Sequence, residues 1–364
     1  MKFENLILTI SDYGNYGNRL QNYALYKMLE QYGSSTTIYS CIDNLSPERN
    51  LRTLFKNNVK HLYSILFSDD RSLKYIQNYN FQKMTREDVP DSFFSYSMSH
   101  GLVRKNNETF NRLVIGSDQV WNYKWLTQQG IALRLGSFIS KEHPIISYAA
   151  SFGVSEVDDE VKPIFQKYLP RLKAISVRED RGAELVKEMT GLDATVVLDP
   201  TLMLTANKWL EITGNFVSDD DKYVLTYFLG RPSDEQERDI QAHAKAYGCR
   251  VRRILDLRDK ETYVAGPQDF VELFSKAQYV FTDSYHACCF SILFHKQFTV
   301  FNRAGITGKS NMNSRMETLF RLFDLNSVVM DSGLAPEIDY KEVDRLLEQH
   351  RKESQNWLDK AMEE

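Results

Sequence analysis

Short apolar runs alternate with amphipathic stretches along most of the chain. Residues 3–10 (FENLILTI) are a mostly apolar run of strand length. Residues 19–32 then place Leu20, Tyr23, Ala24, Leu29 and Tyr32 on or near one helical face. The same reading predicts strands at 35–39, 113–115, 145–149, 174–177 and 195–198. A second series falls at 223–228, 250–255, 278–282 and 298–301. Helical patterns lie between them, among them 234–247, 267–275 and 314–323. Strands alternating with helices imply parallel sheets joined by right-handed crossovers, an α/β fold. A break is expected at Asp199-Pro200-Thr201, where a strand runs into a proline turn, and the polar stretch 214–222 precedes the next strand. The chain therefore reads as two doubly wound domains, 1–200 and 201–335. Residues 336–364 add a terminal helix, with Val343, Leu346, Leu347, Trp357, Leu358 and Met362 spaced as an apolar stripe for packing back on the domains.

Size agrees with that division, since 364 residues suit about two domains. The balance of 45 basic against 49 acidic side chains lacks the basic excess of a nucleic-acid binder, so no nucleic-acid partner is expected. The four cysteines, Cys41, Cys249, Cys288 and Cys289, show no zinc spacing or CxxC pair; they read as reduced, packed thiols, and no metal site is expected. Glu4 interrupts the only N-terminal apolar run, which is too short for a signal peptide. No run approaches the roughly 20 apolar residues of a spanning helix. The expected location is cytoplasmic. Residues 46–67 add a refinement: Arg49, Arg52, Lys56 and Lys60 recur at helical spacing opposite Leu54, Phe55, Val59, Leu62, Ile65 and Leu66. The simpler reading is a core-packing helix with a solvated basic face. The sharper one is peripheral contact with the inner face of the plasma membrane or a lipid-linked anion.

Four segments carry candidate chemistry. Tyr13-Gly14-Asn15-Tyr16-Gly17-Asn18 joins the first strand to the first helix, where glycines permit close backbone approach and the helix N-terminus favours anions. It matches neither a dinucleotide fingerprint nor a P-loop, so a plain turn is equally compatible. In LVIGSDQVWN (113–122) a strand delivers Ser117, Asp118 and Gln119 to its carboxyl edge, the ligand side of an open α/β sheet. The same residues would serve equally as a helix cap over a packed Trp121. In AISVRED (174–180) Arg178 stands at such an edge, either as an anion clamp or in an ion pair with its acidic neighbours. In FTDSYHACCFSILF (281–294) His286 falls in the first helical turn after Asp283 or Ser284, both good N-caps. An anion at that helix end favours a protonated imidazole, hence an acid. The next strand ends at Arg303, and a Gly/Ser/Asn-rich loop carries Lys309 towards Arg315. One histidine and three basic groups converging on one crevice suit a small, highly charged ligand.

Taken in order, IGSDQVWN, SYAASFG, SVRED, LDPT, TDSYHACCFSILF and FNR…NSR resemble the polysaccharide pyruvyl transferase family, from the YGNYGNRLQNYAL opening to about residue 325. The resemblance implies two facing Rossmann-like domains, similar to the glycosyltransferase B arrangement. It implies transfer of the enolpyruvyl carbons of phosphoenolpyruvate onto two hydroxyls of a sugar, forming a pyruvate ketal and releasing phosphate. Phosphoenolpyruvate is then a co-substrate, no cofactor is required, and the acceptor is a cell-surface glycan or its lipid-linked precursor. By the same resemblance His286 is the general acid or a donor contact, Arg178 contacts the donor, and Lys309 lies where a donor-binding lysine is expected. Relatives read Arg-Leu-His where this chain has Ser284-Tyr285-His286, so the donor clamp needs Arg303 or Arg315 in compensation. The acceptor is expected against Tyr13, Asn15, Asn18, Asp118, Gln119 and Asn122. A sugar-nucleotide glycosyltransferase on the same fold, or a non-catalytic glycan-binding protein, are the rival readings.

Overall fold

A computed structural model describes residues 2–10, 12, 14–38, 59–60, 62–63, 69–89, 94–97, 101–104, 109–302 and 313–363. Two parallel sheets form two α/β domains. The first has six strands in the order β2-β1-β5-β6-β7-β8, with β1 Lys2–Leu8, β2 Ser35–Thr37, β5 Thr109–Asp118, β6 Ile145–Ala150, β7 Ala174–Val177 and β8 Thr195–Val196. Strand β1 lies one in from the edge, with Leu6 opposite Thr36 on one side and Leu113 on the other. A small antiparallel ribbon, β3 Phe94–Ser97 with β4 Gly101–Arg104, belongs to neither sheet. The second sheet runs β10-β9-β11-β12-β13, from β9 Tyr223–Tyr227, β10 Arg250–Ile254, β11 Tyr279–Thr282, β12 Phe298–Phe301 and β13 Val329–Met330. In both, the first strand lies inside and later strands add outwards, so the order reverses once. Those reversals lie between β1 and β5 and between β9 and β11. They are the crevices where open α/β sheets bind ligands, outside the carboxyl ends of the strands.

The helices that shape the site are α1 Tyr16–Leu29, α2 Asp70–Asp88, α3 Asp180–Thr190, α4 Pro200–Met203, α5 Pro267–Lys276, α6 Tyr285–Leu293, α7 Asn313–Phe323 and α8 Tyr340–Met362. Helix α1 starts three residues before the predicted Arg19, because Asn15 caps it by accepting the Asn18 N–H at 3.1 Å. Strand β5 outruns its predicted core of 113–115 at both ends. Gly116, at φ 133°, lies so close to β6 that a Cβ would sit 2.0 Å from the Tyr148 carbonyl oxygen, so only glycine fits.

The two domains share a core. Tyr16, Leu20, Tyr23 and Ala24 of α1, with Phe81 and Met84 of α2, join one apolar cluster with Tyr227, Phe270, Phe274 and Phe290 of the second domain. The Tyr16 ring stacks on Phe270 at 4.9 Å, and its hydroxyl donates to the Ala265 carbonyl at 2.7 Å. Helix α8 crosses between the domains. Val343 and Leu347 enter the shared cluster, while Leu358, Ala361 and Met362 cover Ile7, Val114, Ile146 and Tyr148 of the first sheet. Among the described residues no helix is long and apolar enough to cross a membrane. Most of the basic helix predicted at 46–67 lies outside the described residues.

Candidate active site

The carboxyl ends of both sheets face one cleft, lined by Asn15, Asp118, Gln119, Leu229, Asp283, Ser284, Tyr285, His286, Arg315 and Met316. Each sheet contributes its reversal point. On the second sheet, the Asp283 carboxylate at the end of β11 accepts the Leu229 and Gly230 N–H groups beyond β9, at 2.7 and 2.9 Å. This ties the two strand ends together. Asp283 is therefore spent on the loop and does not cap α6. Ser284 occupies the N-cap position with no side-chain capping bond, so its side chain is left to the cleft.

Behind the cleft lies a buried ionic network. The Arg178 side chain is fully buried; Nη1 donates to Asp199 Oδ2 at 2.7 Å and Nη2 to Asp118 Oδ1 at 3.0 Å. The Tyr285 ring lies 4.5 Å from its guanidinium carbon. Asp199 also accepts from Ser117 Oγ at 3.2 Å and from the N–H and hydroxyl of Thr201 at 2.9 and 2.8 Å. Burial pushes its carboxyl up, but His286, Arg178 and the Thr201 N–H outweigh that and hold it far below the usual carboxylate range. Asp118 is opposed in the same way by burial and lowered by Arg178, His286 and Arg315. Both are ionised at neutral pH. Glu179 points the other way: its Oε1 accepts from Ser151 Oγ and the Phe152 and Gly153 N–H groups, and burial raises its pKa.

His286 sits at the seam of the domains. Its Nε2 is 3.7 Å from Asp199 Oδ2, within ion-pair range and beyond a hydrogen bond. The Nδ1 edge lies against Gly17 in the first turn of α1, where a Cβ would come within 2.0 Å of Nδ1. So the glycine that reads as a ligand-approach position in sequence accommodates the histidine ring instead. Arg315, in the first turn of α7, is buried, and its Nη1 is 3.8 Å from Asp118 Oδ1. The Gln119 amide, with its oxygen turned towards Arg315, accepts from both terminal nitrogens at 3.0 and 3.2 Å. Among the described residues the Arg315 Nε has no hydrogen-bond partner. Burial, and then repulsion from Arg178, lower its pKa to about 10. It is a cation short of negative charge, on the wall of the cleft.

The predicted residues thus separate by position. His286, Ser284, Tyr285, Arg315, Asp118, Gln119 and Asn15 line the cleft. Arg178 stands behind it, in ion pairs with Asp118 and Asp199. Asn18 supports Asp118 from below, its Nδ2 3.4 Å from Oδ2. Asn122 faces Gln119 and caps the short turn at Lys124. Tyr13, Arg303 and Lys309 lie outside the described residues. Among those described, no group of three His, Cys, Asp or Glu side chains is placed to hold a metal ion. Asp199 is the site residue that sequence reasoning missed. It reads there as a turn before Pro200, although an aspartate preceding a proline is also a helix N-cap, and it caps α4.

Three kinds of comparison bear on identity. No curated protein matches the sequence. Solved structures align along nearly the whole chain at low identity. UDP-N-acetylglucosamine 2-epimerase from Rickettsia bellii is 8% identical over 97% of this chain and 88% of its own, with a TM-score of 0.43. The UDP-GlcNAc 2-epimerase from Neisseria meningitidis is 12% identical over 97% and 100%, at 0.40. A UDP-glucosyltransferase from Polygonum tinctorium is 10% identical over 99% of each chain, at 0.40. The model of one protein family, polysaccharide pyruvyl transferase, matches residues 15–305, which takes in the strand-order reversal of the second sheet and Asp118, Arg178, Asp199 and His286. With a match over that much of its length, the chain belongs to the polysaccharide pyruvyl transferase family.

Proposed function

We propose that this protein transfers the enolpyruvyl carbons of phosphoenolpyruvate to two hydroxyls of a sugar in a cell-surface glycan or its lipid-linked precursor. The observation that carries the reading is His286, facing an ionised aspartate and standing beside the under-neutralised Arg315 at the mouth of α6. Phosphoenolpyruvate brings a phosphate and a carboxylate. Arg315 and the N-terminal N–H groups of α6 supply cationic and dipolar partners for them. Arg178 acts indirectly, by fixing Asp118 and Asp199.

His286 gives its proton to the terminal carbon of the enol, and the π electrons form the new C–H bond. The central carbon becomes oxocarbenium-like, and a sugar hydroxyl attacks it, returning its proton to the imidazole. The bond to phosphate then breaks, with the electron pair leaving on phosphate. The second hydroxyl closes the ketal and gives its proton to the departing phosphate. Asp118, Gln119 and Asn15 also line the cleft, and in this reading they hold the two hydroxyls beside the donor. Incubation with phosphoenolpyruvate and synthetic or lipid-linked galactosides should add one pyruvyl ketal to the acceptor mass and release phosphate. His286→Ala should abolish this while retaining the fold. Turnover of a UDP-sugar with no use of phosphoenolpyruvate would overturn the reading.

A further inference from the structure

The structure assigns Asp199 as the positioning residue of His286: its carboxylate fixes which ring nitrogen keeps a proton and which one exchanges it with the reactants. The assignment rests on His286 being the acid of the proposed reaction. Its basis is geometric. Asp199 is itself immobilised by four donors, the Arg178 guanidinium, the Ser117 hydroxyl, and the Thr201 N–H and hydroxyl. All are buried, so its Oδ2 is a fixed point in the protein frame. The His286 Nε2 faces that point at 3.7 Å, is itself buried, and has no hydrogen-bond partner among the described residues. A buried N–H left unpaired is costly, so the contact has reason to tighten once ligand closes the cleft. The other ring nitrogen, Nδ1, lies beside the Gly17 backbone at the start of α1, and the ring lines the cleft.

The consequence is a division of labour within one ring. With Nε2–H directed at Asp199, proton transfer to the donor leaves from Nδ1. The neutral ring that remains keeps the Nε2–H tautomer and presents the Nδ1 lone pair to the attacking hydroxyl. Asp199 stays ionised and takes no proton, so the ring returns to its starting state within one turnover. The logic is that of a carboxylate orienting a catalytic imidazole, here with the carboxylate anchored by an arginine from the first domain and the imidazole carried by the second.

The test uses the whole chain. In the wild-type protein, nitrogen NMR of the His286 ring at a pH where it is neutral should show the Nε2–H tautomer; a dominant Nδ1–H tautomer would overturn the assignment. This measurement needs neither a variant nor turnover, so it stands even if phosphoenolpyruvate proves not to be the donor. In Asp199→Asn, kcat with phosphoenolpyruvate should fall roughly 10²–10⁴-fold, the range of acid–base catalysis. KM for phosphoenolpyruvate should change less than about 3-fold. If Asp199→Asn folds and leaves kcat where it was, the proposal is wrong. A wild-type chain that never consumes phosphoenolpyruvate would instead remove the reading of the reaction, leaving the tautomer result to judge Asp199.

Discussion

At the scale of single residues, the tightest constraint is between Gly17 and His286. A methyl at position 17 would fall 2.0 Å from Nδ1, 2.3 Å from Cγ and 2.7 Å from Cε1 of His286, so the ring must leave its place. Gly17→Ala should therefore cost about 1–3 kcal/mol of stability, as overpacking does, and should lower kcat at least as much as loss of an oriented acid. In a His286→Ala background the same methyl meets an empty space. A double-mutant cycle by urea unfolding should show the penalty for Gly17→Ala largely disappear there; equal penalties in both backgrounds would show that the two residues do not touch. Arg315 allows a second prediction at this scale. A charge-assisted bond to an anion is worth about 1.5–3 kcal/mol. Arg315→Ala should thus raise the dissociation constant for phosphoenolpyruvate roughly 10- to 150-fold, read by calorimetric titration. Because the wild-type guanidinium is short of negative charge, the variant should lose ligand affinity without a comparable loss of melting temperature.

At the scale of elements, helix α8 holds the first sheet together from outside its own domain. Its C-terminal half buries Leu358 and Met362, and the Ser354 hydroxyl accepts the buried Leu198 N–H at 2.9 Å. Ser354→Ala leaves that N–H without its acceptor and should cost about 1–3 kcal/mol, measurable as a lower urea midpoint with unchanged slope. No change would mean water replaces the hydroxyl. The sequence makes α8 easy to read, because apolar residues at helical spacing open it (Val343, Leu346, Leu347) and close it (Trp357, Leu358, Met362) around a polar middle. It makes β7 and β12 equally plain, since 174–177 and 298–301 are short apolar runs bounded by polar residues, and both strands have those bounds. Helix α2 is hidden for the opposite reason. Its buried face carries Ser72, Gln77 and Thr85 beside Phe81 and Met84, and it docks by hydrogen bonds. The Gln77 and Asn80 amides donate to the Tyr263 and Val264 carbonyls of the second domain. Periodicity of apolar residues is a weak guide to a helix that packs partly through Phe81 and Met84 and partly through amides paired with carbonyl groups. The site divides in the same way. His286 and Arg315 are legible from their place at element ends, whereas the pairing of Arg178 with Asp118 and Asp199 joins strands 60 and 21 residues apart and leaves no local trace.

At the scale of the whole molecule, the two sheets define two domains but the side chains define one cooperative body. Tyr16, Leu20 and Tyr23 pack with Phe270, Phe274 and Phe290, α8 reaches across both, and the Arg178 network places first-domain charges against His286 of the second. An interface so apolar and so continuous with both cores is unlike the polar contacts of freely moving domains. The chain should therefore unfold in a single transition at neutral pH, with calorimetric and van't Hoff enthalpies in agreement; two resolved transitions would show independent domains. Acid should weaken that transition in a defined direction. Asp118 and Asp199 have depressed pKa values in the folded state, while an unfolded aspartate titrates near pH 3.9. Their contribution is complete above about pH 4 and is lost as pH falls below it towards the folded values. Glu179, raised by burial, opposes this with a contribution that is present below its unfolded value and lost as pH rises through its folded one. Two aspartates against one glutamate leave a net loss in acid. The urea midpoint should drop between pH 5 and pH 3, and Asp199→Asn should flatten that dependence. A midpoint that stays level or rises over that interval would mean the buried carboxylates are not ionised in the folded protein, and the seam would then owe its stability to the aromatic cluster alone.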